Sequence, residues 1–408
     1  MASLKPKEKR AAAWIITAQS ATRLGDVLTN PKTVLTWLLS ALGAPGALLS
    51  LLVPVRESGS MLPQVVISDW VKRVERRKWI FVAGAVAQAM AIAAMGLAAW
   101  KLPPAVASGV VLVALAAFAV ARSFCSVSSK DVLGRSVPKG FRGRVSGTSN
   151  AISGVLSAAA AVSLIFAGGS DLAAVWLAQL VLGASLLWVL GAAFYSLVAE
   201  PRQEGKRDQG RQGWSERLSM VREDPKFRDF VVARGLLLGT ALASPLLVIL
   251  SQRSGAQLGS LAGFIIAAGV AKAGSSFFWG KLADRSGALS MAVGGLVAAV
   301  IGILAITLAF AKPGNITPEY AWPLLFLVFN IGYAGVRLGR KTWVVDAADG
   351  DQRTDYVSAS NTLIAVLILI TGLIHSPLQA WSPLASLGLY VLLCLAGVGA
   401  AWRLQRYV

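Results

Sequence analysis

The chain has 408 residues, of which 55% are hydrophobic and only 14% are charged, and its mean hydropathy is +0.63. A soluble domain carries roughly 25% charged residues, so this composition excludes an ordinary water-soluble globule. A net charge of +19 would suggest nucleic-acid binding in a soluble protein, but beside long apolar runs it is typical of basic loops that fix membrane topology.

The N-terminal segment, residues 1–32, is basic at its start and mixed in polarity afterwards. It lacks the short apolar core and the small-residue cleavage site of a signal peptide. We therefore expect it to be retained, with an amphipathic helix at about 11–28 lying on the cytoplasmic face of the membrane.

Apolar stretches near 20 residues, the length that crosses a bilayer core, follow one another along the rest of the chain. They lie at about 33–54, 57–72, 78–99, 105–127, 146–168, 172–198, 228–252, 258–281, 288–311, 321–339, 358–375 and 384–403. The sequence thus predicts an all-α integral membrane protein with twelve transmembrane helices. Two six-helix bundles, 33–198 and 228–404, flank a cytoplasmic central loop at 199–227.

The distribution of basic residues supports this topology. Most of the 39 Lys and Arg residues fall in segments that share one side when both termini are cytoplasmic, as the positive-inside rule requires. The second span is short and polar, but removing it would place the basic loops on opposite sides. We expect a multi-pass protein of the plasma (inner) membrane.

The two halves share local patterns in the same order. Lys130 and Lys341, Arg142 and Arg353, and Asn150 and Asn361 are each separated by 211 positions. Matches in register at several loops indicate a duplicated six-helix unit. Transporter folds commonly use such repeats, with the substrate near the membrane midplane between them.

The loop after the eighth span carries the most specific motif. It reads Gly280-Lys281-Leu282-Ala283-Asp284-Arg285-Ser286-Gly287, which resembles the G-x-L-a-D-R-x-G loop of the major facilitator superfamily. The corresponding loop of the first half is degenerate and keeps only the acid, Asp69. The resemblance implies a gate at the cytoplasmic helix ends, formed by Gly280, Asp284, Arg285, Gly287 and Asp69.

Charges inside a membrane are costly, and they are usually functional or paired. If transport is coupled to protons through a carboxylate, the sequence favours Glu57 beside Arg56, where the first span meets the second. The alternative is a solvated Arg56–Glu57 pair in an outer loop. No acid is expected deep in a span, and Glu57 is the only one expected near an outward-facing cavity.

Three cations fall within spans, Arg122, Arg234 and Lys272, and the polar Gln64 lies in the second span. If these residues face a central cavity, they favour an anionic substrate. Arg122 could equally pair with another helix, or snorkel to the cytoplasmic interface.

The basic loops after the fourth and tenth spans form a further group of candidates. The resemblance implies that they contribute to an inner gate network, although solvated topology determinants would show the same composition. The residues concerned are Lys130, Asp131, Arg142, Arg144, Lys341 and Arg353.

The sequence contains no phosphate-binding loop, no H-E-x-x-H, no C-x-x-C and only one histidine, so we expect neither an enzyme nor a bound cofactor or metal. The favoured interpretation is a monomeric secondary active transporter of a small molecule, working by alternating access with a possible role for protons and no nucleic-acid partner. The alternative is a transport-inactive relative that acts as a membrane sensor or assembly factor.

Overall fold

The computed structural model describes residues 5–138, 141–166, 173–202, 214–257, 259–310, 318–347 and 350–407. In these ranges all regular secondary structure is helical. The chain divides into two compact units. Unit 1 comprises Met1–Ala44, Val55–Ser163 and Ser170–Gln209, and unit 2 comprises Pro45–Pro54, Leu164–Gly169 and Gly210–Val408.

Eight helices precede the central loop. They are α1 (Pro6–Leu28), α2 (Val34–Ala41), α3 (Gly46–Met61), α4 (Gln64–Arg73), α5 (Lys78–Lys101), α6 (Pro104–Ser136), α7 (Arg142–Phe166) and α8 (Ala173–Ser196).

Ten helices follow. They are α9 (Trp214–Glu223), α10 (Pro225–Leu236), α11 (Gly239–Leu242), α12 (Ser244–Arg253), α13 (Gly259–Gly274), α14 (Ser276–Arg285), α15 (Gly287–Phe310), α16 (Pro318–Ala347), α17 (Gly350–Trp381) and α18 (Pro383–Arg403), with a final 3-10 turn at Leu404–Tyr407.

Among the described residues, eight helical segments have the length and hydropathy needed to cross a membrane. The pair α13 and α14, bent by 46°, gives a ninth. α1 with α2 and α3 with α4 are likewise helices interrupted by short breaks. When interrupted helices are counted together, each half of the described chain holds six long helical segments, with α9 additional.

The breaks occur at corresponding places in the two halves. The first segment of each half is interrupted, after α1 at residues 29–33 and around the short α11 in the second half. The second segment is interrupted at Leu62–Pro63 in one half and near Ser275 in the other. Proline lacks the N–H that would continue the helical ladder, which accounts for the break at Pro63.

The N-terminal segment belongs to the bundle of unit 1. Ala11, Ala12, Ile15 and Ala18 of α1 are buried, and a Cβ on Gly25 would lie 2.6 Å from Trp188 Cζ3 of α8. α1 is therefore packed among other helices, which corrects the predicted surface helix and the boundary at residue 32.

The predicted first span at 33–54 is also corrected, because the chain turns between α2 and α3. Gly43 has φ +74°, a left-handed conformation that glycine adopts without a steric penalty. Pro45 follows two residues later. The first helical segment of the fold is thus α1 with α2, and the second is α3 with α4.

In unit 2, α15 and α16 approach through facing glycines. A Cβ on Gly294 would lie 2.6 Å from the carbonyl oxygen of Gly332, and one on Gly287 would lie 2.5 Å from the backbone nitrogen of Trp343. Ser290 Oγ donates to the carbonyl of Gly335 over 3.0 Å. Small residues allow this close packing where a membrane offers no hydrophobic driving force between helices.

Candidate functional site

One carboxylate oxygen joins three helices of unit 1. Arg56 on α3 donates through Nη2 to Asp26 Oδ1 of α1 over 2.9 Å, and Arg122 on α6 donates through Nη1 to the same oxygen. The side chains are 19% exposed for Asp26, 12% for Arg56 and 35% for Arg122. Arg122 is thus the most accessible member of the group.

Arg122 points away from the exposed apolar face of α6. Val113 and Val120, 72% and 41% exposed, are seven residues apart and share that face. Arg122 follows Val120 by two residues, a rotation of about 200° at 3.6 residues per turn. Its guanidinium therefore pairs across to α1, the alternative to snorkelling that the sequence left open.

Two further charges surround this group. Arg23, one turn before Asp26, donates to the carbonyl of Ser146 on α7 and to Gln19 Oε1, each over 3.0 Å. Glu57 interacts electrostatically with both Arg56 and Arg122. We refer to Arg23, Asp26, Arg56, Glu57 and Arg122 as the charge cluster.

The charge cluster has three cations and two anions, and its location inside a helical bundle makes each of them costly to desolvate. The arrangement offsets this cost by sharing the Asp26 carboxylate. Arg56 also lies over the Phe118 ring, with its guanidinium carbon 5.6 Å from the ring centroid. Arg56 Nε is buried and lacks a hydrogen-bond partner in the described structure.

The prediction for this region is corrected in two respects. Arg56 and Glu57 lie within α3 and not in an outer loop, and Arg56 bonds to Asp26, an acid that the sequence interpretation did not consider. Asp26 was missed because the polar residues of α1 suggested a helix on the membrane surface.

The other predicted cavity residues are dispersed. Gln64, at the start of α4, donates to the carbonyl of Ser60 over 2.6 Å. Lys272 is exposed near the end of α13. Arg234 is buried in α10 of unit 2, where its guanidinium donates to Ser360 Oγ and Asn361 Oδ1 over 2.9 and 2.8 Å.

The motif of the predicted gate forms the end of α14 and the start of α15. Asp284 and Arg285 occupy the last turn of α14 and are exposed. Gly287 permits the close contact with α16 described above, whereas a Cβ on Gly280 would meet open space. Asp69 belongs to α4, and its side chain lies outside the described part of the structure.

In unit 1 the loop residues around α6 form a connected polar network. Arg77 Nη1 lies 2.6 Å from Asp131 Oδ2, and Arg135 Nη1 lies 3.6 Å from Glu200 Oε1. Arg142 donates to the carbonyls of Gly134 and Val137 at the end of α6. Arg77, Arg135 and Glu200 were not identified from the sequence.

Glu200 also caps a helix. Its carboxylate accepts the backbone N–H groups of Arg77 and Lys78, over 3.1 and 2.8 Å, at the start of α5. Lys78 Nζ in turn donates to the carbonyls of Ser196 and Val198 at the end of α8. Each charge thus complements the dipole of the helix end that it contacts.

The remaining predicted loop residues are peripheral. Lys130 and Lys341 are exposed. Arg144 is also exposed, and its guanidinium carbon lies 5.5 Å from the centroid of the Phe141 ring. The side chain of Arg353 lies outside the described part of the structure.

Interrupted helices and charges buried within a helical bundle are both features of membrane transporters. The family model of the Major Facilitator Superfamily matches residues 15–372, and the chain belongs to this superfamily. The match begins inside α1, in agreement with the packing of that helix. A comparison with the curated proteins gives no match.

Solved structures confirm the fold at low sequence identity. A POT family transporter in complex with 5-aminolevulinic acid has a TM-score of 0.71 at 11% identity, covering 98% of this chain and 96% of that chain. The nucleoside transporter NupG gives 0.67 at 10% identity, with 99% of each chain covered. The inward-open xylose transporter XylE from E. coli gives 0.67 at 12% identity, with 96% and 95% covered.

Proposed function

We propose that this protein is a secondary active transporter that couples the movement of a small anionic solute to a proton bound by Asp26. The observation that carries the proposal is the sharing of Asp26 Oδ1 by Arg56 and Arg122. A carboxylate that bridges helices of one bundle links its own protonation to the packing of those helices.

The coupling between solute and proton comes from an exchange of partners at Arg122. Arg122 has the most exposed side chain of the three, so an incoming anion reaches it first and competes with the Asp26 carboxylate. A carboxylate released from Arg122 binds a proton, and the total charge of the site is then unchanged by the arrival of anion and proton together. This avoids the cost of an uncompensated charge in the membrane.

Protonation of Asp26 removes the attraction that holds Arg56 and Arg122 beside one another. With the anion bound to Arg122 in place of the carboxylate, α3 and α6 are no longer tied to α1 through Asp26. Rearrangement at this point is the local event that would accompany alternating access, in which one repeat moves against the other around the substrate.

The proposal retains several expectations from the sequence. Asp284, Arg285, Asp69, Gly280 and Gly287 act as an inner gate, and the polar network around α6 stabilises the same side. The protein works as a monomer in the inner membrane, with cytoplasmic termini.

The solved relatives suggest probes for the solute. One was solved with 5-aminolevulinic acid, which carries a carboxylate, and the others transport nucleosides or xylose. We would reconstitute the purified protein in liposomes containing a pH-sensitive dye. Succinate, lactate, 5-aminolevulinic acid, xylose and a nucleoside would be added separately.

A carboxylate solute should acidify the lumen of wild-type proteoliposomes, while xylose and the nucleoside should not. Asp26→Asn should abolish acidification. Asp229→Asn is the matched control, since Asp229 on α10 of unit 2 also pairs with an arginine, Arg406 of the C-terminal turn, at 2.5 Å. Unchanged acidification by Asp26→Asn would refute the coupling role, and no response to any carboxylate would favour the sensor interpretation.

A further inference from the structure

Arg234 is a buried cation whose hydrogen-bond partners, within the part of the chain that the structure describes, are neutral groups. It is 7% exposed, and its two terminal nitrogens donate to Ser360 Oγ and Asn361 Oδ1 of α17. Its third nitrogen, Nε, is buried and has no hydrogen-bond partner in the described structure. Among the described residues no carboxylate pairs with it.

The repeat explains how this arrangement arises. Arg234 lies 211 positions after Arg23, the same spacing as the pairs of loop residues in the two halves. The same offset relates Asp26 to Leu237 and Arg122 to Tyr333. Unit 1 therefore has an acid one turn after its arginine, whereas unit 2 has a leucine at that position.

The surroundings increase the positive potential. Arg340 of α16 interacts electrostatically with Arg234 and adds a second positive charge. A buried guanidinium without a counter-charge is costly in a bilayer. The Nε–H of Arg234, which has no partner in the described structure, is a donor that a bound oxyanion would satisfy.

We propose that Arg234, with Ser360 and Asn361, forms an anion site in unit 2 that binds a carboxylate or phosphate group of the transported solute. The guanidinium supplies charge and its free Nε–H, and the Asn361 amide supplies N–H donors. This inference rests on the proposed transport function but uses residues separate from the charge cluster.

The test is the thermal stability of the purified full-length protein in a zwitterionic buffer of low salt. Sodium succinate, sodium phosphate or sodium chloride would be added at equal ionic strength, because a ligand that binds the folded state raises the melting temperature. Succinate or phosphate should raise it in the wild type. Arg234→Gln should reduce the shift and require roughly tenfold more anion or greater to produce it, as expected for a lost charge-assisted hydrogen bond; the shift that remains then reports anion binding at Arg122.

Arg228→Gln is the matched control, since Arg228 is on the same helix and its side chain is 51% exposed; it should keep the full shift. If Arg234→Gln does not fold, Arg234→Lys and Ser360→Ala provide milder changes, and each should weaken the shift. Arg234→Gln should also melt higher than the wild type without anions, because it removes an uncompensated charge, whereas a purely structural arginine would give the opposite change.

Three results would overturn the proposal: a full shift in Arg234→Gln, no shift of the wild type with succinate or phosphate, or an equal shift with chloride, which would make this a halide site. The outcome is separable from the coupling role of Asp26. Asp26→Asn should keep the anion-induced shift, so a failure at Arg234 leaves the proton-coupling test intact.

Discussion

Asp26 and Arg56 are 30 residues apart in the sequence, and their Oδ1 and Nη2 atoms lie 2.9 Å apart inside unit 1. The bond joins α1 to α3 on either side of the turn at Gly43. Since Arg122 donates to the same oxygen, the three side chains behave as a single electrostatic unit. Replacing one of them changes the free-energy cost of burying the other two charges.

We therefore expect Asp26→Asn to destabilise the protein by about 2–4 kcal/mol, because two arginines lose their counter-charge; the partial exposure of Arg122 keeps the loss below that of a fully buried pair. Denaturation in detergent would measure it. The double variant Asp26→Asn with Arg56→Gln should be less destabilised than Asp26→Asn alone. A strictly additive double variant would show that the two side chains do not interact.

The cap on α5 gives a second prediction. Glu200→Ala removes the acceptor of two backbone N–H groups and the partner of Arg135, and should lower stability by about 1–2 kcal/mol. Glu223→Ala, at an exposed acid at the end of α9, is the control and should have no effect. Equal melting temperatures for the two variants would argue against the capping role.

The glycines between α15 and α16 give a third prediction. Gly294→Ala places a methyl group 2.6 Å from the carbonyl oxygen of Gly332, so the helices must separate, at a cost of about 1–3 kcal/mol. Gly388→Ala is the control, since a Cβ at Gly388 meets open space. Thermal melting of both variants checks the expectation, and a tolerated Gly294→Ala would contradict the close approach.

The gate motif gives a fourth prediction. Asp284 is exposed, so Asp284→Ala should change stability by no more than about 0.5 kcal/mol while lowering solute-driven acidification in proteoliposomes. Glu75→Ala, at an exposed acid in the loop between α4 and α5 of unit 1, should leave transport unchanged. Wild-type transport by Asp284→Ala would remove Asp284 from the gate.

The sequence predicted the fold class and the superfamily correctly. Twenty-residue apolar runs and the Gly280–Gly287 motif depend on local composition, which a single chain displays directly. The repeat spacing of 211 also proved informative, because it pairs Arg23 with Arg234 as well as the loop residues.

The first two segments and the centre of the charge cluster were not predictable in the same way. α1 contains Thr17, Gln19, Arg23 and Asp26, and hydropathy treats such residues as exposed to water. The structure compensates Arg23 and Asp26 with partners 30 to 123 positions away, such as the Ser146 carbonyl and Arg56. Those pairings depend on tertiary contacts, so Glu57 was favoured as the acid when Asp26 holds the central position.

The cap on α5 has a consequence for biogenesis. The N–H groups of Arg77 and Lys78 are satisfied by a carboxylate more than 120 residues further along the chain. During translation α5 is made well before Glu200 emerges from the ribosome, so its first turn lacks this cap until α8 is complete. The packing of α5 into unit 1 is thus completed only after α8, the last helix of the unit, has been synthesised. The nascent chain therefore has a defined point at which its first half can finish folding.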